Sequence, residues 1–527
     1  MFDWITAHKK INAATREAEN IQQKNERLDA ENQELRSRIA ALELEIEARI
    51  NEAVEEAITP ILVELASTKE ELAAAKEELA AAKAEITRLN AMINLNSSNS
   101  SKPPGQDGFR KPIHNSREKS GRKRGGQKGH PGHRLSLPEN LDELVDRGVV
   151  LKEVVDHTDG AKEYESRYTL DIRFYAFVTE HRYPVGQVPP ERYNEVTYGD
   201  VIKTLVVLLS DEGMISGNRL AEILKDITHG VINISEATIN NFRSEFVKKL
   251  SNEMNAIKSD LDSGKIINTD DTPMRSAQRM VFDKDGSPIG LETAKGKSFK
   301  VTVRTYSNER STFQTVNPGK GKDGVERDGI LPNYKGIICH DHDKKMYKYG
   351  EAHGTCGEHL VRELKGLHES WNIPWAGKMR EFMLRMNNYK NKDLADGQTA
   401  CSEEVLAAFE SEYDELVKEG QEVLDELELN NEKSRHDELR PRVKRLREFK
   451  DCYLLFMRDY DVPFTNNLSE RDLRIDKTKQ KISGCFRSWD GIKDYVTIRS
   501  FISTLKKRNM NLLDSFTLVF QGVPVLY

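Results

Sequence analysis

Cysteine is scarce in this chain of 527 residues: Cys339, Cys356, Cys401, Cys452 and Cys485 are scattered, and no two form a C-x-x-C pair. That excludes an encoded disulfide framework or zinc ribbon and fits a reducing compartment. Long apolar runs are lacking too. No window approaches the roughly 18 consecutive apolar residues of a membrane-spanning helix, and the N-terminus has no apolar signal core, so a cytoplasmic protein without a membrane partner is expected. Glycine is missing from about residue 15 to 95, a stretch rich in Ala, Glu, Lys and Leu, which is the composition of a long helix. Large apolar residues are in turn almost missing from the segment that follows, which therefore cannot bury enough surface to order itself. The length allows several domains and at least one sizeable core.

Within the glycine-free stretch, Ile21, Leu28, Leu35 and Leu42 recur every seven residues, with Asn25, Asn32, Ile39 and Ile46 four further on. This is an a/d seam with leucine at d and asparagine, then isoleucine, at a. It predicts a parallel two-stranded coiled coil whose asparagines fix the register. Pro60 interrupts it, and a second seam runs through Leu65, Leu72, Leu79, Ile86 and Ile93. The alternative is a single solvated helix held by Glu to Lys pairs.

The net charge of −6 conceals a strongly basic arm. Residues 102–134 carry ten Lys/Arg against Asp107 and Glu118 alone, which points to a polyanion partner. Arg122, Lys123, Arg124, Lys128 and Arg134 are candidates to neutralise phosphates, with "GRKRGG" able to enter a narrow minor groove. The alternative is a solvated linker. Further on, "SGNRLAEILKDITHG" and "ISEATINNFRSEFVKKL" read as two helices, the second capped by Ser235. A helix-turn-helix here presents Asn240, Asn241 and Arg243 to DNA, although helix pairs are common in any protein.

Chemistry is concentrated beyond residue 260. "GKIINTDDTPMR" is a short apolar run ending in Asp270 and Asp271, and "YKGIICHDHDKKMY" repeats the design with Asp341. Each reads as a buried strand delivering a carboxylate at its end. Phe299, Val301, Val303 and Tyr306 mark a further strand between them. "GTCGEHLVRELKGL" starts a helix with His359, Arg362 and Glu363 in reach of whatever Asp341 binds. In "FTNNLSERDLR", Glu470 on its own is an ordinary first-turn helix carboxylate, favoured by the dipole. Arg471, Arg474 and, in the following "KTKQKISGCFRSWDG", Arg487 surround it with DNA-compatible cations. With the two strand-end aspartates it makes the three hard carboxylates that a two-metal phosphoryl-transfer site uses to hold two Mg²⁺ or Mn²⁺ ions about 3.5–4 Å apart.

The blocks "SSKPP", "RGGQKGHPGH", "DDTPMR", "TNNLSERDLR" and "KISGCFRSWDG" resemble the DDE transposases of the insertion-sequence-66 family, and the likeness covers most of the chain. The resemblance implies a multidomain α+β protein with a ribonuclease H-like catalytic core. Its expected organisation is a coiled-coil oligomerisation region (1–95), a basic DNA-binding arm (96–140), a small β-rich module (141–195) and a helix-turn-helix-like region (196–260). The core follows in two parts (261–370 and 456–510) around a helical insertion (371–455), with a C-terminal tail (511–527). The resemblance makes Asp270, Asp341 and Glu470 the catalytic and metal-binding acids, Asp271 standing where the family usually has glutamate. It implies double-stranded DNA as partner, both terminal inverted repeats and target, together with self-association, accessory element-encoded proteins and a bacterial, nucleoid-associated setting. Many members carry a zinc-binding element after "GHPGH"; the corresponding stretch here has no cysteine. No zinc is therefore expected, and Tyr168, Leu170, Ile172 and Phe174 suggest a metal-free strand. Two rival functions are a non-catalytic coiled-coil DNA-binding protein and a ribonuclease H-like nuclease that hydrolyses without joining.

Overall fold

The computed structural model describes residues 136–526 apart from 160 and 190–193, the helix at 58–94, and scattered helical residues between 22 and 41. The arm cations Arg122, Lys123, Arg124, Lys128 and Arg134, and the seam residues Leu28, Leu35, Ile39 and Leu42, lie outside the described residues.

Helix α1 (Ile58–Asn94) has Pro60 in its first turn, where a missing N–H costs nothing. It packs on two helices of the body and sinks Ala91 into their core. Asn25 and Asn32 are helical and buried, and Lys24 Nζ stands 3.9 Å from Glu78 Oε2 of α1. The face these asparagines would offer a second copy is thus already covered by their own chain. Heptad spacing specifies that a helix is covered but not by which chain.

Between 141 and 195 the described residues hold one short helix, α2 (Leu141–Asp146), and no strand. Tyr168, Leu170, Ile172 and Phe174 are exposed, so the alternation that predicted a β-rich module finds no partner strand to pair with. Four helices follow: α3 (Asp200–Asp211), α4 (Gly217–Ile227), α5 (Glu236–Lys249) and α6 (Ser251–Asp262). Ser235 caps α5 by accepting from Thr238 N.

The centre is a five-stranded sheet in the order β5-β4-β1-β6-β7, built from β1 (Ile266–Ser276), β4 (Phe299–Ser307), β5 (Thr312–Asn317), β6 (Ile337–His340) and β7 (Ala352–Thr355). β1, β4 and β5 are antiparallel neighbours, while β6 runs parallel to β1 and β7 parallel to β6. A separate hairpin, β2 (Gln278–Phe282) and β3 (Pro288–Thr293), stands off β1. Helix α7 (Lys322–Asp328) precedes β6.

Side chains alternate across the sheet, as the period of two requires. Ile267 and Ile338 enter a core shared with α3 to α6, while Ile266, Ile337 and Cys339 face a second core. That second core is built by α8 (Gly357–Trp371), α9 (Pro374–Ala395), α10 (Glu403–Leu429), α11 (Lys433–Glu448) and α12 (Lys450–Arg458). α13 (Asn467–Ser483) and α14 (Trp489–Lys507) then return to the sheet, burying Leu473, Ile492, Tyr495 and Val496 against Met274, Val301 and Val303. Residues 511–527, expected to be a tail, instead form α15 (Leu512–Phe520) in the first core. Beyond it, Val525 and Leu526 donate their backbone N–H groups to the buried carboxylate of Glu253, at 2.9 and 2.8 Å.

Candidate active site

Strand register brings the acidic residues together. β1 and β6 pair in parallel with Asn268 opposite Cys339, so two residues on, Asp270 and Asp341 stand side by side. Asp341 follows the end of β6, whereas Asp270, expected at a strand end, lies in mid-strand because β1 runs on to Ser276 along β4. Alternation sends both to the face that also carries Met274, the face covered by α13. Asp271 falls on the opposite face. There it is opposite Arg304 in the ladder, with Arg304 Nη2 at 3.7 Å and Lys320 Nζ at 2.9 Å. Arg304 is wholly buried and also holds Asp328 at 3.0 Å. The neighbouring aspartates therefore differ in kind: Asp271 is neutralised by two cations, whereas Asp270 faces Asp341.

Glu470 arrives in the first turn of α13. The residue before that helix, Asn466, is fully buried, and its side chain does not cap α13. Its amide donates instead to Thr269 O at 2.9 Å and to Asp341 Oδ1 at 3.3 Å. One side chain thus ties β1, the end of β6 and the start of α13. Helix α8 meets the same point. Gly357 N donates to Phe464 O at 2.8 Å, and the Phe464 ring lies so close that a Cβ on Gly357 would come within 2.3 Å of it; only glycine allows this approach. In the first turn of α8, His359 Nε2 sits 3.3 Å from Asp341 Oδ2 and 3.4 Å from Glu470 Oε1. Cys356 Sγ accepts from Asn466 N at 3.2 Å and is 4.0 Å from Glu470 Oε1.

The electrostatics follow from crowding acids where water is limited. Burial, and then the charge of Asp341, push Asp270 up to about 8. Burial raises Asp341 as well, against the pull of His359. Glu470 is lowered, first by its hydrogen bond with His359. Burial disfavours the His359 imidazolium, but the hydrogen bond to Glu470 and the charge of Asp341 outweigh it and raise its pKa. Behind them His340 is pushed down to about 3 by burial and by His353 and His342. A cavity of about 420 Å³ opens over Asp270 and Asp341, with Lys320, Asp343 and Lys344 on its wall.

The three acids singled out in the sequence converge. The proposed DNA contacts divide. Arg471 and Arg474 are exposed on α13. Arg487 is exposed and pairs with Glu236 at 3.1 Å. Arg243 is not available: it is buried, with Nε and Nη2 on the two oxygens of Asp211 at 2.7 and 2.8 Å. Asn240 and Asn241 do remain exposed on α5. Glu363 turns away from Asp341 to Arg445, 2.5 Å distant. Sequence reading missed Asn466 as a linker of the three acids. It also missed Lys477, exposed two turns beyond Glu470, whose charge lowers both Asp270 and Glu470. Its spacing of seven from Glu470 was the available signal.

Among the described residues no helix is long and apolar enough to cross a membrane. Residues 198–494 match the model of the transposase IS66 family, and residues 9–136 match a family of unknown function. No curated protein and no solved structure matches the chain.

Proposed function

Because the chain belongs to the IS66 family of transposases, and so binds and processes DNA, we propose that it cleaves element ends and joins them to target DNA by a metal-dependent DDE mechanism. The observation that carries this reading is the parallel register setting Asp270 beside Asp341 while His359 bridges Asp341 to Glu470. The sheet supports it too. With the β2–β3 hairpin set aside, three antiparallel strands followed by two parallel ones in the order β5-β4-β1-β6-β7 are what we expect of a ribonuclease H-like core.

The donor set fits hard divalent cations, which take carboxylate oxygens. Asp270 and Asp341, set side by side by the register and both raised by burial, are a pair that such a cation stabilises. Asp270, Asp341 and Glu470 would hold Mg²⁺ or Mn²⁺, which when bound lowers the pKa of a nucleophilic hydroxyl and stabilises the leaving oxygen. Asn466 fixes Asp341 and the start of α13 in one geometry, and Asp271, engaged by Arg304 and Lys320, is left outside the ligand set. Arg471, Arg474 and Lys477 offer cations to the phosphates of a strand lying along α13. In cleavage a water oxygen bonds to phosphorus and the P–O3′ bond breaks. In joining, the freed 3′-hydroxyl attacks a target phosphorus, exchanging one phosphodiester for another.

The test uses the full chain with duplex DNA carrying the element's terminal repeats. Asp270→Asn, Asp341→Asn and Glu470→Gln should each abolish Mg²⁺-dependent nicking while retaining DNA binding in a gel-shift assay. Full cleavage by the Asp341→Asn protein refutes the assignment. Products that are cut but never joined to target select the hydrolytic nuclease instead.

A further inference from the structure

The three acids do not form one uniform site. Asp341 Oδ, Glu470 Oε, His359 N and Cys356 Sγ have donor atoms within 4.8 Å of one another, a group that Asp270 does not join. Asp270 lies beside Asp341 on the wall of the cavity, which His359 and Glu470 do not line. Asp341 is thus shared between an all-oxygen half with Asp270 and a mixed half with Glu470 and His359.

In the mixed half, His359 Nε2 points between the two carboxylates, 3.3 Å from one and 3.4 Å from the other. Donors around a single ion at about 2.0–2.2 Å stand roughly 3–4 Å apart; the nitrogen already has that spacing to each carboxylate, and the two carboxylates offer oxygens within 4.8 Å of each other. Their positions are fixed by backbone. His359 is in the first turn of α8, which is pinned to Phe464 by Gly357, and Glu470 is in the first turn of α13. Cys356 is the weaker candidate. Its sulfur is buried and already accepts from Asn466 N, and burial keeps the thiol protonated, whereas a metal takes the thiolate.

We propose that His359 is a protein ligand of the ion held between Asp341 and Glu470, so that the two halves of the site differ in metal preference. This rests on the reading above, that Asp341 and Glu470 bind metal. A nitrogen ligand ranks Mn²⁺ and later transition ions over Mg²⁺, while an all-oxygen set suits Mg²⁺. The half holding Asp270 should accept either ion, and the half holding His359 should select Mn²⁺.

The experiment loads the full-length protein with Mn²⁺ and records electron spin-echo modulation. Directly bound imidazole gives ¹⁴N modulation, which changes on ¹⁵N-histidine labelling. Wild type should show it and His359→Gln should lose it. His359→Asp, which substitutes oxygen for nitrogen, should keep Mn²⁺ but lower its preference over Mg²⁺ by at least about tenfold, the low end of what changes around a metal ligand cost. Bound Mn²⁺ without ¹⁴N modulation in wild type overturns the role of His359 and leaves the carboxylate site standing. Modulation that persists in His359→Gln overturns it too, with His340, His342 and His353 as the alternative sources. Mn²⁺ binding that survives both Asp341→Asn and Glu470→Gln sinks the underlying reading itself.

Discussion

Replacing Gly357 by alanine adds one methyl group, and the structure gives its consequence. The new Cβ would lie 2.3 Å from Cε2 and Cζ of Phe464 and 2.8 Å from Cδ2, where carbon atoms prefer about 3.5–4.0 Å. The ring must retreat by roughly 1.2 Å. It is buried and already packed edge-on against Phe456 at 4.9 Å, so it moves only by shifting the backbone that leads through Asn466 into α13. Overpacking of this kind costs about 1–3 kcal/mol, offset by up to about 1 kcal/mol from replacing a helical glycine. The net loss is about 1–2 kcal/mol, or roughly 2–8 °C in melting temperature at about 2–4 °C per kcal/mol. Activity should suffer more. A 1 Å displacement in a catalytic constellation costs about 100-fold, and the path from Gly357 to Glu470 runs directly through Phe464. Nicking of end-repeat DNA by Gly357→Ala should therefore fall about 100-fold while most of the protein stays folded. Phe464→Leu in the same chain, which removes the clash, should restore both properties and give a coupling of about 0.5–3 kcal/mol in a double-mutant cycle. Wild-type melting and nicking by Gly357→Ala, or no rescue by Phe464→Leu, refutes the clasp as the element that positions Glu470.

Two further outcomes follow from buried polar groups. Asp476 is fully buried on α13, accepting from Tyr495 Oη at 2.9 Å and Gln314 Nε2 at 3.0 Å, and burial pushes its pKa up to about 7. A carboxyl raised in the folded state contributes stability that is complete below its unfolded pKa, about 3.9, and is lost as pH rises through about 7. Melting temperatures of wild type and Asp476→Asn taken from pH 5 to 8 should show wild type losing stability relative to the variant, and parallel curves would contradict the shift. Asn25 Oδ1 and both polar side-chain atoms of Asn32 are buried without a hydrogen-bond partner, each such atom costing about 1–3 kcal/mol. Asn25→Leu with Asn32→Leu should raise the melting temperature, and a lower one, measured beside sedimentation mass, would mean that a second chain satisfies these amides.

How much was legible in the sequence depends on how local the cause was. "GIICHD" announced a strand-end carboxylate at Asp341, one residue past β6, but "IINTDD" did not mark an end: β1 runs on to Ser276, so Asp270 sits in mid-strand opposite Thr305. "TNNLSE" announced a helix start, but local pattern cannot show that the Asn466 amide is drawn to Thr269 and Asp341 instead of capping the helix it precedes. Arg243 failed in the same way. Its partner Asp211 is on a different helix, and an exposed arginine and a buried, paired one look alike in sequence. The alternation of Tyr168, Leu170, Ile172 and Phe174 was real but needed a neighbour to pair with, and the described residues supply none. Asp270 and Asp271 could not be told apart until strand pairing gave one of them Arg304.

The hydrogen bond from Gly357 N to Phe464 O brings the start of α8 and the segment leading into α13 to a single point, 2.8 Å across. Helices α8 to α12 lie between these two residues, with Asp341 and β7 before the first and Glu470 six residues after the second. Lengthening a segment closed in this way costs little, about 0.6 kcal/mol for each doubling of a flexible loop, and the closing contact, not the segment, fixes the distance from Asp341 to Glu470. Adding or removing a helical turn at the end of this segment far from the sheet should therefore leave the acids in place.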